Sequence, residues 1–517
     1  MPTLTIDGQR VEVPAGATIL EAAGKLGIAI PTLCHLPPLP PNTSCMVCVV
    51  QVAGKAALQP ACAAPAAEGL EVRTNTPAVL DARRTALELL LSDHTGDCQA
   101  PCQVACPARM DIPRMVRQIA AGQFADAVAT VKADIALPAL LGRICPAPCE
   151  KACRRGKLDQ PLAICKLKRF VADWDLAAER TYLPTCPPAS GHRVAVVGAG
   201  PAGLAAAYHL RRAGHAAVVY ERRDQLGGAI RYELAPEQLD RAVLDAEIQV
   251  IARMGTEFRT GRAIDTPAAL NALIDEFDAV ILAMGPVDGA GEALGLATGE
   301  KGLAADPRTG ATERESVFAA GSAIRPSRLA VAAEQSGKSA AASAGQYLTG
   351  QPITGAARAF SVHVGPMGEE ELAAIAAEGS DRPRQQPTGA QEAFTDPEAR
   401  AEAGRCLHCD CRAADHCPLR DHSAAAGASP TAFRGQRRPF RQIRQPGGVI
   451  YEPGKCISCG LCVQIAAEAG ETLGLAFIGR GFDVRVAAPL SASLDEALTA
   501  AAADCVAACP TGALAWR

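Results

Sequence analysis

The sequence is short of aromatic residues, which make up 4% of its 517 positions. Ala therefore supplies much of the apolar 49%, enough for cores of ordinary size and too much for a wholly disordered chain. It also lacks an excess of basic residues. Lys and Arg number 51 against 55 Asp and Glu, for a net charge of −4, which argues against a nucleic-acid binder. No secretory signal is expected, because residues 1–13 read as a polar hairpin. No membrane span is expected either. The uncharged stretch from Leu26 to Gly54 is broken by prolines and cysteines, and that from Val194 to Leu210 holds a glycine fingerprint. No nucleophile–base pair of a hydrolase or transferase is visible, so no residue is assigned a catalytic role.

Cysteine is abundant, with 21 residues. The chain is too long for a small disulfide scaffold, so the thiols are expected to be reduced, metal-bound and cytoplasmic. They fall in five groups, at 34–62, 98–106, 145–165, 406–417 and 456–509, with Cys186 alone and none between Cys186 and Cys406. At roughly 100–200 residues per domain the length predicts three to five domains. The expected fold is multidomain, α+β and α/β. Its divisions are 1–78, 79–185, 190–348, a linker at 349–400, a four-cysteine segment at 401–450, and 451–517.

Leu4, Ile6, Val11 and Val13 flank Asp7-Gly8, a hairpin signal, and Thr18-x-x-Glu21 is a capping box opening a short helix. A β-grasp module fits residues 1–78. Its cysteines are Cys34, Cys45, Cys48 and Cys62, and four thiolates on loops suit a [2Fe–2S] cluster, with zinc as the competing reading. The x10, x2, x13 spacing resembles the N-terminal domain of the iron–sulfur large subunit of respiratory complex I and of related NAD-linked formate dehydrogenases and hydrogenases. Thr76-Pro77 opens a further helix that ends near Ser92. His94 and Cys98 then match the start of the complex I site that has one His and three Cys ligands.

From Cys98 the resemblance changes. Cys98, Cys102 and Cys106, followed by Cys145, Cys149 and Cys153, resemble the glutamate synthase small subunit and the N-terminal domain of dihydropyrimidine dehydrogenase. Two [4Fe–4S] clusters there share one helical domain, expected here at 79–185. The resemblance gives Cys98, Cys102 and Cys153 to one cluster, with His94 completing it. It gives Cys106, Cys145 and Cys149 to the other. The family's last ligand, a Glu or Gln, falls at about Lys168, which cannot ligate while protonated. Cys165 lies three residues earlier on the same helical face and is expected to replace it.

Residues 192–203 read as a buried strand, then Gly198-x-Gly200-x-x-Gly203, then a helix. A second strand ends at Glu221, where a ribose-binding acid belongs. Gly227-Gly228 after that acid resembles the FAD version of the motif in the glutamate synthase small subunit. Gly285, ending the strand after Asp278, and Gly321-Ser322, ending the strand after Ser316, resemble the family's later flavin-binding strands. Ser322 stands where the family has Asp. The family inserts an NAD(P)H-binding Rossmann domain between those strands, which needs on the order of a hundred residues. Only about thirty separate Gly285 from Val317, and Gly289-Ala290-Gly291 reads as loop. The expectation is a Rossmann-like FAD domain without the NAD(P) insertion.

Cys406, Cys409, Cys411 and Cys417 are expected to bind one metal centre, either [4Fe–4S] or zinc. Cys456-x2-Cys459-x2-Cys462 is a bacterial ferredoxin run, whose cluster Cys509 should complete, with Cys505 a spare. Residues 479–483 also resemble complex I-type large subunits. Together these readings imply an oxidoreductase subunit carrying FAD, one [2Fe–2S] and three to four [4Fe–4S] clusters. It would relay electrons inside an NAD(P)-linked complex of formate dehydrogenase, hydrogenase or 2-oxoacid oxidoreductase type. Its partners would be an NAD(P)H-oxidising flavoprotein subunit and a terminal catalytic subunit. The alternative is a self-sufficient NAD(P)H oxidoreductase like the glutamate synthase small subunit.

Overall fold

The computed structural model describes the chain except residues 287–292, 378, 390, 391, 434, 436 and 446. Gly289 to Gly291 thus lie outside the described residues. The chain forms two compact units, both discontinuous in sequence. Unit 1 comprises Met1–Gln99, Ala359–Ala377 and Cys409–Arg517, and unit 2 comprises Ala100–Arg358 and Glu378–His408.

Unit 1 begins with a five-stranded mixed sheet. Its order is Gln9–Glu12, Thr3–Ile6, Glu71–Arg73, Val49–Val52, Gln59–Pro60. The first hairpin turns at Asp7-Gly8, both at positive φ, with Ile6 opposite Gln9. Leu4 and Ile6 point inward against Ile19, Ala22 and Ala23 of the helix Ile19–Lys25. The Thr18 hydroxyl and the Glu21 carboxylate close the capping box of that helix as the sequence predicts. Helix Pro77–Ser92, capped by Thr76, buries Leu87 and Leu91 in a core shared with the C-terminal segment. That segment holds a three-stranded antiparallel sheet (Ile443–Arg444, Val449–Tyr451, Leu514–Trp516) and the helices Leu461–Glu468 and Ala502–Ala508.

Unit 2 opens with short helices, among them Pro101–Ala105, Pro138–Ile144, Pro148–Lys151 and Ile164–Leu176. A five-stranded parallel sheet follows, in the order Val317–Ala319, Ala279–Leu282, Arg193–Val197, Ala216–Tyr220, Glu257–Arg259. Val194–Val197 and Ala279–Leu282 are buried throughout, as a sheet covered on both faces requires. The first strand sits centrally, and the strand order reverses beside it, between Arg193–Val197 and Ala279–Leu282. That is the topological switch point where such sheets bind ligands. Between Gly285 and Val317 the described residues include a short hairpin, Thr298–Gly299 with Gly302–Leu303.

Candidate cofactor sites

In the N-terminal module Cys34, Cys45, Cys48 and Cys62 are all buried, at 1%, 5%, 1% and 1% exposure. They stand in two pairs, Cys34–Cys45 at 3.3 Å and Cys48–Cys62 at 3.4 Å between sulfurs. Within each pair one thiol donates to the other. That contact lowers Cys34 to about 5 and Cys48 to about 7, and pushes Cys45 and Cys62 up. Two pairs of thiols suit two metal atoms that share bridging ligands, since each tetrahedral iron of a [2Fe–2S] centre takes two thiolates.

In the C-terminal segment Cys456, Cys459, Cys462 and Cys509 line one cavity with Tyr451, Leu461, Val486 and Leu514. The Ser458 N–H donates to the Cys456 sulfur (3.4 Å) and the Leu514 N–H to the Cys509 sulfur (3.4 Å). Burial pushes Cys459 up to about 12. Cys505 is fully buried outside that lining, and its thiol lies 3.6 Å from the Cys462 carbonyl.

In unit 2 Cys106, Cys145, Cys149 and Cys165 gather around a buried lysine, Lys168. A hydrogen bond from Cys165 lowers Cys145 to about 6, while burial pushes Cys149 up to about 12. Lys168 lies one turn beyond Cys165 on helix Ile164–Leu176 and is 4% exposed. The four sulfurs raise its pKa against the effect of its burial. It has no carboxylate partner in an ion pair among the described residues. Sequence reasoning placed Cys165 and Lys168 on one helical face, but nothing in the sequence gave the burial of Lys168.

His94 and Cys98, expected with Cys102 and Cys153, line a cavity of unit 1 with Cys411, Cys417, Arg420 and Lys455, and Cys102 and Cys153 fall in unit 2. The physical reason is local anchoring. Helix Pro77–Ser92 is fixed in the unit 1 core, the Thr95 N–H donates to the Gly454 carbonyl (2.7 Å), and the Cys98 sulfur accepts from the Val362 N–H (3.5 Å). Of the four cysteines at 406–417, Cys411 and Cys417 line this cavity, while Cys406 belongs to unit 2, as do Cys102 and Cys153. Cys409 opens the last segment of unit 1. Burial and the Lys455 ammonium hold His94 at about 4, so its imidazole is neutral and able to ligate.

No three His, Cys, Asp or Glu side chains among the described residues close up as a single-ion site would require.

At the sheet's switch point Gly198 has φ +103 and ends the first strand, and a Cβ at Gly203 would overlap the Gly198 carbonyl oxygen. Helix Pro201–Arg212 starts from Gly200 as its N-cap, so its free N–H groups face the turn. Glu221 is 6% exposed, and its carboxylate accepts from the Ala199 N–H (2.8 Å) and the Arg223 N–H (3.0 Å). The Gly227 N–H donates to the Ala199 carbonyl, and Gly228 packs on Gly200. Gly285 follows the strand Ala279–Leu282. The Gly321 N–H donates to Ser336 Oγ (2.8 Å), and the Ser322 hydroxyl lies 3.4 Å from the Ser327 carbonyl. No helix among the described residues is long and apolar enough to cross a membrane.

Three domain families match the chain. They are a 2Fe-2S iron-sulfur cluster binding domain at residues 1–77, the 4Fe-4S cluster domain II of dihydropyrimidine dehydrogenase at 91–180, and an NAD(P)-binding Rossmann-like domain at 196–264. The NADP(+)-dependent formate dehydrogenase subunit beta of Moorella thermoacetica is 35% identical over 36% of this chain and 29% of its own length. The glutamate synthase [NADPH] small chain of Mycobacterium tuberculosis is 38% identical over 37% of this chain and 39% of its own. The NADPH-Fe(3+) oxidoreductase subunit beta of Geobacter sulfurreducens is 36% identical over 36% and 28%. The chain thus spans less than half the length of these relatives. By these matches it carries 2Fe-2S, 4Fe-4S and Rossmann-like nucleotide-binding domains and is a homologue of oxidoreductase subunits.

Proposed function

We propose that the chain relays electrons between FAD and a series of iron–sulfur clusters, as the electron-transfer subunit of an NAD(P)-linked multisubunit oxidoreductase of the cytoplasm. The observation that carries this reading is the presence, in one chain, of grouped thiols in domains matched to 2Fe-2S and 4Fe-4S families and of a Rossmann switch point. FAD takes two electrons and can release them singly, and each cluster carries one.

The β-grasp thiols Cys34, Cys45, Cys48 and Cys62 would hold the [2Fe–2S] centre. Cys456, Cys459, Cys462 and Cys509 would hold one [4Fe–4S] centre, and Cys106, Cys145, Cys149 and Cys165 another. Backbone N–H groups on the Cys456 and Cys509 sulfurs would stabilise the reduced, more negative state. Gly198, Gly200 and Gly203 would let the FAD pyrophosphate approach the helix N-terminus. Glu221 would exchange a backbone hydrogen bond for the ribose hydroxyls, with Gly227, Gly228, Gly285, Gly321 and Ser322 lining the rest.

The short stretch from Gly285 to Val317 leaves no room for a second nucleotide-binding domain of ordinary size. A partner flavoprotein subunit would therefore oxidise NAD(P)H. A formate dehydrogenase, hydrogenase or 2-oxoacid oxidoreductase subunit would supply the terminal chemistry. The match of residues 196–264 to an NAD(P)-binding domain favours the second reading, a self-sufficient NAD(P)H oxidoreductase. Acid denaturation of anaerobically purified chain tests the cofactor assignment. FAD and iron are expected in the supernatant and cluster sulfide as trapped hydrogen sulfide; stoichiometric zinc without sulfide, or no flavin, would contradict it.

A further inference from the structure

Glu334 and Glu247 stand on two helices of unit 2, Ala330–Leu348 and Arg241–Arg253, and each is 2% exposed. Both turn to the chain that enters helix Pro138–Ile144. Glu334 Oε2 accepts from the N–H groups of Ala136 (3.0 Å) and Leu137 (3.3 Å), and the Glu247 carboxylate from those of Ala139 (2.6 Å) and Leu140 (2.8 Å). Glu334 Oε1 is buried without a hydrogen-bond partner among the described residues. Two carboxyl groups therefore share one helix start, and that helix runs directly into Cys145. Helix Ala330–Leu348 also bears on the glycine turn: Ser336 Oγ accepts from the Gly321 N–H, and a Cβ at Gly337 would overlap the Ala202 carbonyl oxygen.

Most charged groups around the pair already hold a partner. Lys132 pairs with Asp175 (2.5 Å), Arg143 with Asp173 (2.7 Å), and Lys338, one turn after Glu334, with Asp134 (2.5 Å). Tyr208, which faces Glu334 from helix Pro201–Arg212, gives its hydroxyl to the Lys132 carbonyl (2.6 Å). Lys168 has no carboxylate in an ion pair among the described residues, and its charge acts on Glu334 as well as on Cys106, Cys145, Cys149 and Cys165. Two buried carboxylates held by backbone N–H groups, with no cation of their own, are costly to keep ionised together. Burial raises both, and Glu247 raises Glu334 further.

We infer that Glu334 and Glu247 form a proton-accepting pair coupled to the centre of Cys106, Cys145, Cys149 and Cys165, so that the pair gains a proton when that centre gains an electron. This rests on the iron–sulfur reading above. The electron comes from whichever donor reduces the centre, and the proton from solvent. An O–H bond forms on one carboxylate oxygen as a hydronium O–H bond breaks, and no other bond changes. The negative charge added at the sulfurs is matched by one removed at the far end of a two-turn helix, so the buried region keeps its net charge. Lys168 strengthens the coupling, because its one unpaired positive charge faces both anionic groups. The one-electron relay of this chain is then linked to proton uptake, a property that the thiols and the glycine turn do not supply by themselves.

EPR-monitored redox titrations of the full-length chain, purified anaerobically, test the coupling between about pH 6 and about pH 9. The centre is identified by the signal that Cys106→Ala loses. In wild type its reduction constant should fall as pH rises, towards tenfold per pH unit at one proton per electron, about 59 mV. Glu334→Gln combined with Glu247→Gln should make it independent of pH with iron content retained, because neither amide titrates. A pH-independent midpoint in wild type would overturn the inference, as would an unchanged slope in the double variant. A second readout needs no variant to fold. Reduced-minus-oxidised infrared difference spectra of wild type should gain the C=O band of a newly protonated carboxyl, and its absence would also overturn the inference. Mössbauer spectra lacking any four-iron cluster would sink the iron–sulfur reading itself, whereas an intact cluster with a pH-independent midpoint would leave that reading standing.

Discussion

Lys168 of unit 2 is buried, and the sulfurs of Cys165, Cys145, Cys106 and Cys149 act on its charge. In the sequence it is only a residue that cannot ligate, three positions after a cysteine on the same helical face. Helical periodicity made Cys165 legible as its replacement. What the sequence could not carry is that Lys168 is 4% exposed and faces four thiols, because burial depends on helices far apart in the chain. An unpaired ammonium beside a cluster stabilises the added electron. Lys168→Met is therefore expected to lower the midpoint potential of one [4Fe–4S] centre by on the order of tens of mV with iron content unchanged. EPR-monitored redox titration checks this, and an unmoved midpoint would contradict it. Cys505 gives the converse case. It lies outside the cavity of Cys456, Cys459, Cys462 and Cys509, so Cys505→Ser should leave iron and the EPR spectrum unchanged. A loss of iron would place it among the ligands.

At the scale of elements, the local signals proved the most readable. Asp7-Gly8, the Thr18–Glu21 box, Thr76-Pro77 and the glycine turn are each encoded within a few residues, and each forms where it was expected. Gly203 serves the last of these by letting the helix start touch the strand end. Gly203→Ala should destabilise the chain by about 1–3 kcal/mol and deplete bound flavin, measured by thermal unfolding and by flavin absorbance.

Two buried carboxylates were not legible, because they act on an element distant in sequence. Glu334 accepts from the Ala136 and Leu137 N–H groups, and Glu247 from those of Ala139 and Leu140, at the start of helix Pro138–Ile144, which ends at Cys145. Burial raises Glu247 to about 7, and burial together with Glu247 raises Glu334 to about 8. Glu334 Oε1 has no hydrogen-bond partner among the described residues, consistent with a protonated acid. Folded-state values above the unfolded 4.5 mean that the folded chain binds more protons between the two. The stability they contribute is present below about pH 4.5 and is lost as pH rises through 7 to 8, by on the order of a few kcal/mol. Denaturant unfolding from pH 5 to 8 should show that fall, and Glu334→Gln should flatten it. An unchanged slope would contradict the assignment.

The whole molecule holds what the sequence hid. Cysteine spacing put Cys34 to Cys62 in one group and Cys456 to Cys462 in another, and each group is close in the structure. It grouped Cys98 with Cys102, and the anchoring of residues 94–98 in unit 1, which sets Cys98 beside Cys411, was not legible in it. It likewise read 406–417 as one site, although the boundary between units falls within it. The relay reading depends on a further whole-molecule property, the short span between Gly285 and Val317. Adding NADH and then NADPH anaerobically to the isolated chain, and recording its visible spectrum with dithionite as the positive control, tests it most directly. The account predicts that neither nucleotide bleaches flavin or clusters while dithionite bleaches both. Rapid reduction by either nucleotide would contradict it and make the chain an NAD(P)H oxidoreductase in its own right.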